Sequence, residues 1–312
     1  MADEKTRRIL AVAGPTAVGK SALALSLAAR LDGEIISCDS MQIYRGMDIG
    51  TAKPTAAERS AVPHHMIDVA DPGENYSSMD YAAAASSCLN EVLSRGKTPI
   101  FCGGTGLYLE SVLYAGGQAS ASPSSDSRLR RELSARSAEE NYAELRAVDP
   151  ESASSIHPNN RPRVIRALEI YRLSGKPKSV WDRENRREAL LFGAELYVLV
   201  TSDREALYRA IDLRVDRMME EGLLEEVARL SLSPETTAGQ AIGYKELTAY
   251  LAGTCSLTEA VERIKRASRR YAKRQLTWWA RNRQAVKIDV AKNTPEAILE
   301  AIVRSEPERL IS

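Results

Sequence analysis

Short, almost wholly apolar runs alternate along this chain with longer stretches of helical periodicity. Residues 8–13 (Arg8-Ile9-Leu10-Ala11-Val12-Ala13) read as a strand, and residues 22–31 as a helix rich in good helix formers. Residues 34–39, 63–69, 98–102 and 195–201 repeat the strand pattern, and residues 76–95 form an alanine-rich helix. From Leu207 through Ile211, Val215, Met218, Leu223 and Val227 to Leu230, apolar positions trace one stripe, which predicts a long amphipathic helix or helix pair over 203–230. Apolar strands alternating with helices predict an α/β fold, a parallel β-sheet flanked by helices. Between residues 127 and 187 the strand pattern stops. That segment reads as helical, broken at Asp149-Pro150 and His157-Pro158, and Val164, Ile165, Leu168 and Tyr171 share one face. Because a strand returns at 195–201, the helical piece reads as an insertion into one α/β domain. The expected division is a first core part at 1–120, an inserted mainly α-helical domain at 121–190, and a second core part at 191–312. The Gly/Ser/Ala/Pro-rich residues 116–126 mark the hinge.

Candidate chemistry concentrates at the ends of the strands. After the first comes Gly14-Pro15-Thr16-Ala17-Val18-Gly19-Lys20-Ser21, which fits G-x-x-x-x-G-K-[ST] in the required strand–loop–helix context. Glycines let successive N–H groups turn inward, the helix N-terminus adds partial positive charge, and Lys20 adds a full one. Ser21 is placed to hold a phosphate-bound Mg²⁺. The motif therefore makes the core P-loop NTPase-like and predicts a bound phosphate chain, without saying what carries it. Asp39 ends the second strand, where parallel sheets present residues to the ligand crevice. Such a carboxylate can hold Mg²⁺, accept a proton, or merely cap the next segment. Gly103-Gly104-Thr105-Gly106-Leu107-Tyr108, at the end of the 98–102 strand, is either another crevice element or an ordinary strand-to-helix turn. The mixed stretch from Ser40 to Pro54 suits a binding loop.

Composition narrows the partners. The 312 residues are 44% hydrophobic and 27% charged with a net charge of +1, so nucleic-acid affinity requires an uneven charge distribution. Residues 263–283 supply one. They contain nine Lys and Arg, no acid, and Tyr271, Trp278 and Trp279 interleaved, which suits phosphate-backbone contact; the alternative is a solvated helix with its tryptophans in the core. Arg161, Arg163 and Arg166 cluster in the insertion, where charge alone reads as a solvated face. Four scattered cysteines, no secretory leader pattern and no apolar run near the roughly 20 residues of a bilayer span predict a cytoplasmic protein with free thiols and no membrane contact.

Several of these stretches together carry a resemblance. Asp39-Ser40-Met41-Gln42-Ile43-Tyr44 continues through Ile49-Gly50-Thr51-Ala52-Lys53-Pro54. Then come Pro63-His64-His65, the Gly103–Tyr108 turn, Arg163-Val164-Ile165-Arg166-Ala167-Leu168-Glu169, Ala241-Ile242-Gly243-Tyr244-Lys245-Glu246, and Tyr271-Ala272-Lys273-Arg274-Gln275 with Thr277-Trp278. In order and spacing the chain resembles the tRNA dimethylallyltransferases, in their compact form without an appended zinc finger. The resemblance implies transfer of a dimethylallyl group from dimethylallyl diphosphate to N6 of the adenine immediately 3′ of the tRNA anticodon, with Mg²⁺; a monomer is the separate expectation. It implies that Asp39 is the base, that Thr105 positions the reactants, and that Arg214 neutralises the diphosphate held by residues 14–21. It also implies tRNA contacts from Asp39, Ser40, Met41, Gln42, Thr105, Arg130, Arg163, Arg166, Lys273 and Arg274. Two departures stand out. Ala210 replaces an arginine often found one turn before Arg214, with Arg209 about 100° around the helix from it, and Pro162 is unusual for the family. The rival readings are a P-loop small-molecule kinase, which does not need the basic stripe, and a nucleic-acid-dependent ATPase, which wants a metal-holding acid after a later strand.

Overall fold

The computed structural model describes residues 8–114, 126–184, 189–191, 193–306 and 308. In chain order the first elements are β1 (Ile9–Ala13), α1 (Lys20–Leu31), β2 (Gly33–Ser37), α2 (Ala56–Ala61), β3 (His64–His65), α3 (Ser78–Ser94), β4 (Thr98–Gly103) and α4 (Gly106–Leu113). A run of helices follows: α5 (Ser127–Ala135), α6 (Ala138–Val148), α7 (Pro150–Ser155), α8 (Arg161–Ser174) and α9 (Lys178–Glu184). The chain then returns to β5 (Ala194–Val200), α10 (Arg204–Glu220), α11 (Leu223–Leu230), α12 (Tyr244–Leu251), α13 (Leu257–Ala280), β6 (Val286–Asp289) and α14 (Pro295–Val303). These elements fall into two compact units. One contains the chain up to Leu113 and from Ala189 onward; the other spans Tyr114 to Glu188.

The larger unit is built on a parallel six-stranded sheet in the order β3-β2-β4-β1-β5-β6. Val12 pairs with Cys102 on one side and Tyr197 on the other, so β1 is central. Its strands are apolar because helices cover both faces. Leu10, Val12, Leu27, Ile35, Ile100, Tyr197, Leu199, Ile211, Ala272 and Ile288 form one buried cluster between sheet and helices. Strand β5 is formed by the chain returning from the second unit, and its register against β1 is continuous from Ile9↔Ala194 to Ala13↔Val198.

Two strand expectations change. The 63–69 strand shrinks to His64–His65, because Met66 (φ 60°) and Asp68 (φ 58°) take left-handed conformations that no strand accommodates. Conversely, Val-Lys-Ile-Asp at Val286–Asp289 forms an edge strand that four residues of pattern did not announce. The expected 203–230 element is a helix pair, divided where Gly222 adopts φ 98° as the cap of α11.

The smaller unit consists of helices alone among its described residues. Leu129, Leu133, Leu145, Ala153, Ile156, Val164, Ile165 and Leu168 bury one another at the centre of α5–α8. Asp149 caps Pro150–Ser155 through the Ser152 N–H, and Pro162 sits in the first turn of α8, where a missing N–H costs nothing. Of the expected hinge at 116–126 only Asp126 lies within the described residues, where it caps α5. Residues 185–187 of the expected helical stretch also lie outside them.

Candidate active site

Three adjacent strands, β2, β4 and β1, end on one cavity of about 1210 Å³ in the larger unit. Its lining includes Thr16, Lys20, Ser21, Asp39, Gly104 and Arg214. The loop of residues 14–21 follows β1. Gly14 (φ 140°) passes so close to β5 that a Cβ would lie 2.4 Å from the Leu199 carbonyl oxygen, so only glycine fits. Gly19 (φ 95°) starts α1 with no side-chain cap, leaving the first helical N–H groups for a ligand. Lys20 Nζ donates to the Pro15 carbonyl at 2.6 Å, folded back over its own loop.

Charge in the cavity is unbalanced. Burial pulls the Lys20 ammonium down to about 8, and the nearby Arg214 guanidinium acts in the same direction, while Cys102, Asp39 and Cys38 oppose it. Burial likewise lowers Arg214, and the charge that favours it is the carboxylate of Asp39. Two desolvated cations thus share one carboxylate, an arrangement that an incoming anion stabilises. Arg209 is exposed, lies 3.8 Å from Glu205, and is not among the residues lining the cavity.

Asp39 caps the segment that follows it and also lines the cavity. Its Oδ1 accepts the Met41 N–H at 2.9 Å, an Asx turn, and the carboxylate remains in the cavity wall. Thr105 joins the β2 and β4 ends. Its N–H donates to the Cys38 carbonyl at 3.1 Å, and its Oγ1 accepts the Ser40 N–H at 3.0 Å. Gly103 permits this approach, since a Cβ there would lie 2.4 Å from the Cys38 oxygen. Of the Gly103–Tyr108 turn, Gly103 and Gly104 line the cavity, and the remainder leads into α4. Ser40 and Met41 line the cavity, but the Gln42 amide is occupied. It accepts from Ser37 Oγ at 2.9 Å and donates to the Thr51 and Ala52 carbonyls at 3.2 and 3.1 Å.

Sequence reasoning left several site residues without a role. Gln275, buried on α13, accepts the Thr16 N–H at 2.9 Å and donates to the Gly104 carbonyl at 3.1 Å, tying the phosphate loop to the β4 turn. A Cβ on Gly104 would lie 2.0 Å from the Gln275 amide nitrogen. Tyr271, one turn earlier, interacts with Thr105 and Gln275; burial first and then the Asp39 charge push its hydroxyl up to about 12. Away from the cations, buried Glu226 accepts the N–H groups of Asp48, Ile49 and Gly50 at 2.9, 2.8 and 3.1 Å and the Tyr244 hydroxyl at 2.6 Å. Buried Lys53 donates to the Tyr44 carbonyl, Asp48 and Asp68 at 2.6, 2.7 and 2.5 Å. These two charges hold the 40–54 loop in its shape. No local signal marks them: Glu226 stands beside Glu225 on an amphipathic helix, and Lys53 ends a mixed polar loop.

The basic stripe is partly neutralised by acids from another helix. Arg269 pairs with Asp212 at 2.5 Å and Lys265 with Asp216 at 2.6 Å, both partners on α10. Lys273 and Arg274 are exposed, and Arg274 lies 5.4 Å over the Tyr271 ring. The two tryptophans divide: Trp279 is buried, Trp278 is not. In the smaller unit, Arg130 makes a bidentate pair with the wholly buried Glu169 at 3.1 and 2.8 Å, and Arg166 approaches the same carboxylate at 3.4 Å. Arg130 therefore holds α5 to α8, while Arg166 meets the same carboxylate from within α8. Arg163 is exposed.

Among the described residues no three His, Cys, Asp or Glu side chains converge to hold a metal ion. Ser21 lies in the cavity beside Lys20 and interacts with Cys102. That donor set fits Mg²⁺ held mainly by ligand phosphate oxygens and water.

Comparison with known proteins follows the same lines. Residues 42–283 match the IPP transferase family, and residues 7–69 match the isopentenyl transferase family. The tRNA dimethylallyltransferase of Bacillus subtilis is 48% identical over 288 residues, 90% of each chain. That of Pelobacter propionicus is 50% identical over 283 residues, 87% of this chain and 89% of its own. The crystal structure of the tRNA isopentenylpyrophosphate transferase of Bacillus halodurans superposes with a TM-score of 0.70 at 40% identity, covering 97% of both chains. A eukaryotic dimethylallyltransferase acting on tRNA superposes with a TM-score of 0.80 at 31% identity, covering 96% of this chain and 80% of its own. With a family match across most of its length and relatives near half identity, the chain belongs to the IPP transferase family, that of the tRNA dimethylallyltransferases.

Proposed function

We propose that this protein transfers the dimethylallyl group of dimethylallyl diphosphate to N6 of the adenine immediately 3′ of the anticodon in tRNA, releasing diphosphate. The observation that carries the reading is the pair of desolvated cations, Lys20 and Arg214, set with the N-terminus of α1 opposite the Asp39 carboxylate in one cavity. The loop N–H groups, Lys20 and Arg214 bind the donor's diphosphate. As the allylic C–O bond breaks, its bonding pair goes to the diphosphate oxygen, and these fixed donors stabilise the added charge without reorganising. The adenine amine is a weak nucleophile because its lone pair is delocalised into the ring. As its N–C bond forms it must lose a proton, and Asp39, held by the Met41 N–H, takes it. Thr105, anchored to Ser40 and Cys38, orients amine and donor. Ser21 would hold Mg²⁺ together with the diphosphate oxygens, and the ion would add positive charge beside the leaving group.

The target base leaves its stack to enter the cavity, with Ser40 and Met41 at the entrance and Gln42 bracing Ser37 against the 51–52 backbone. Lys273 and Arg274 meet the RNA backbone. The smaller helical unit, through Arg163 and the Glu169-braced Arg130 and Arg166, holds the anticodon arm. The protein acts as a cytoplasmic monomer; no described helix is long and apolar enough to cross a membrane. A kinase reading gives no use to the basic face of α13. The test is transfer of radiolabel from dimethylallyl diphosphate into unmodified tRNA, with labelled ATP in parallel. Label in the adenine 3′ of the anticodon supports the reading; phosphate transfer from ATP in its place overturns it.

A further inference from the structure

Trp278 is an anomaly on the surface of α13. It is 42% exposed, whereas the adjacent Trp279 is 1% exposed and belongs to the core. The exposed indole is nevertheless held firmly. It packs against the start of α4, where a Cβ on Gly106 would lie 2.1 Å from its Nε1 and 2.4 Å from its Cδ1, so the ring rests on bare backbone. Its Nε1 donates to Glu110 at 3.1 Å, which fixes the ring's rotation. A large apolar ring that is both exposed and immobilised is a prepared contact surface rather than a solvated accident.

Its position on the helix says what it would contact. Tyr271, Arg274, Gln275 and Trp278 are spaced i, i+3, i+4 and i+7, and so share one face of α13. Tyr271, Arg274 and Gln275 are all in the wall of the cavity that holds Asp39, with Arg274 over the Tyr271 ring. Trp278 follows outside that wall. Exposed Arg270, Lys273 and Arg281 lie on the same helix or at its end, and Glu110, the acid beside the indole, is engaged by it. Aromatic rings interleaved with a positive groove are how single-stranded nucleic acid is held, the charge following the backbone and the ring taking a base. An adenine drawn into the cavity leaves its neighbours unstacked, and a neighbour just outside needs a new face.

We propose that Trp278 is a positioning residue, the stacking platform for a nucleotide adjoining the target adenine, in register with a backbone phosphate on Arg274. This rests on the RNA-prenylation reading above. The test uses the full chain with an anticodon stem–loop RNA, measuring KM for RNA and, separately, affinity for pyrophosphate. Trp278→Ala raises KM by about 10-fold or more, and Trp278→Phe recovers most of the loss, since any π-face serves. Pyrophosphate affinity stays at the wild-type value, which shows that the phosphate loop is intact. With an RNA abasic at one of the two neighbours of the target, Trp278→Ala costs nothing further. If Phe fails to rescue, or the loss is the same with abasic RNA at either neighbour, the platform is refuted. Transfer by the wild-type chain is scored in the same assay. Its presence without a Trp278 effect removes the platform alone, and its absence removes the reading beneath it.

Discussion

Gln275 offers the sharpest structural test, because one buried amide joins two loops that the chain separates by almost 90 residues. Gln275→Met keeps the length of the side chain and removes both hydrogen bonds, 2.9 Å from Thr16 N–H and 3.1 Å to Gly104 O. A typical bond contributes about 1 kcal/mol net, and each backbone group left unpartnered in the interior costs about 1–3 kcal/mol. Thr16 is only half-buried and water can reach its N–H in part, so the lower portion of the summed range applies, about 2–4 kcal/mol. Gln275→Glu isolates the donor. A carboxylate still accepts from Thr16 but meets the Gly104 carbonyl with repulsion, so it should weaken the site as much as Met does. The assay is urea unfolding followed by the larger unit's tryptophans, together with calorimetry of pyrophosphate binding, since a loosened Thr16 amide leaves the phosphate loop less ordered. A loss below about 0.5 kcal/mol with unchanged pyrophosphate affinity would refute the idea that Gln275 sets the loop, because an effect that small is ordinary for a surface substitution.

Three further outcomes follow from the same site. Asp39→Ala should slow single-turnover transfer by at least about 100-fold, within the usual range for losing a general base, with RNA affinity little changed; a near-normal rate would mean another group takes the proton. Lys20, held near 8 when free, is re-protonated by a bound diphosphate, so calorimetry in buffers of different ionisation enthalpy should show proton uptake at pH 9 and almost none at pH 6.5. The sign for stability is also set. The folded value lies below the unfolded 10.5, so the unfolded chain binds more protons between about 8 and 10.5, and burial of this lysine becomes less costly as pH rises through that window. Replacing Lys273 and Arg274 with Gln should weaken RNA binding and reduce its salt slope by roughly 0.7–0.9 for each phosphate no longer neutralised; an unchanged slope would remove this face from the interface.

Much of this was legible because local and tertiary demands agree. Residues 9–13 are apolar since both faces of β1 are covered; Gly14 stands where backbone contact leaves no room for a side chain, and Gly19 where helix entry takes a φ of 95° that favours glycine. What escaped depends on partners distant in sequence. The acid-free run at 263–283 reads as a bare cationic stripe until α10 brings Asp212 and Asp216 across to it. Gln275 carries no local sign that it reaches Thr16 and Gly104, and Arg130 none that it pairs with Glu169. Strand β6 escaped for another reason: an edge strand of four residues has too short a period to stand out beside the long basic helix before it.

The central claim is that the Lys20–Arg214–Asp39 cavity transfers a prenyl group from its diphosphate to an RNA adenine. Its most direct test is the single-turnover fate of radiolabelled dimethylallyl diphosphate mixed with purified protein, Mg²⁺ and unmodified tRNA. The account predicts label on N6 of the adenine immediately 3′ of the anticodon, with one diphosphate released per group transferred. Bound tRNA with no label incorporated, and ATP hydrolysed instead, would contradict it and take from Asp39 the role of base.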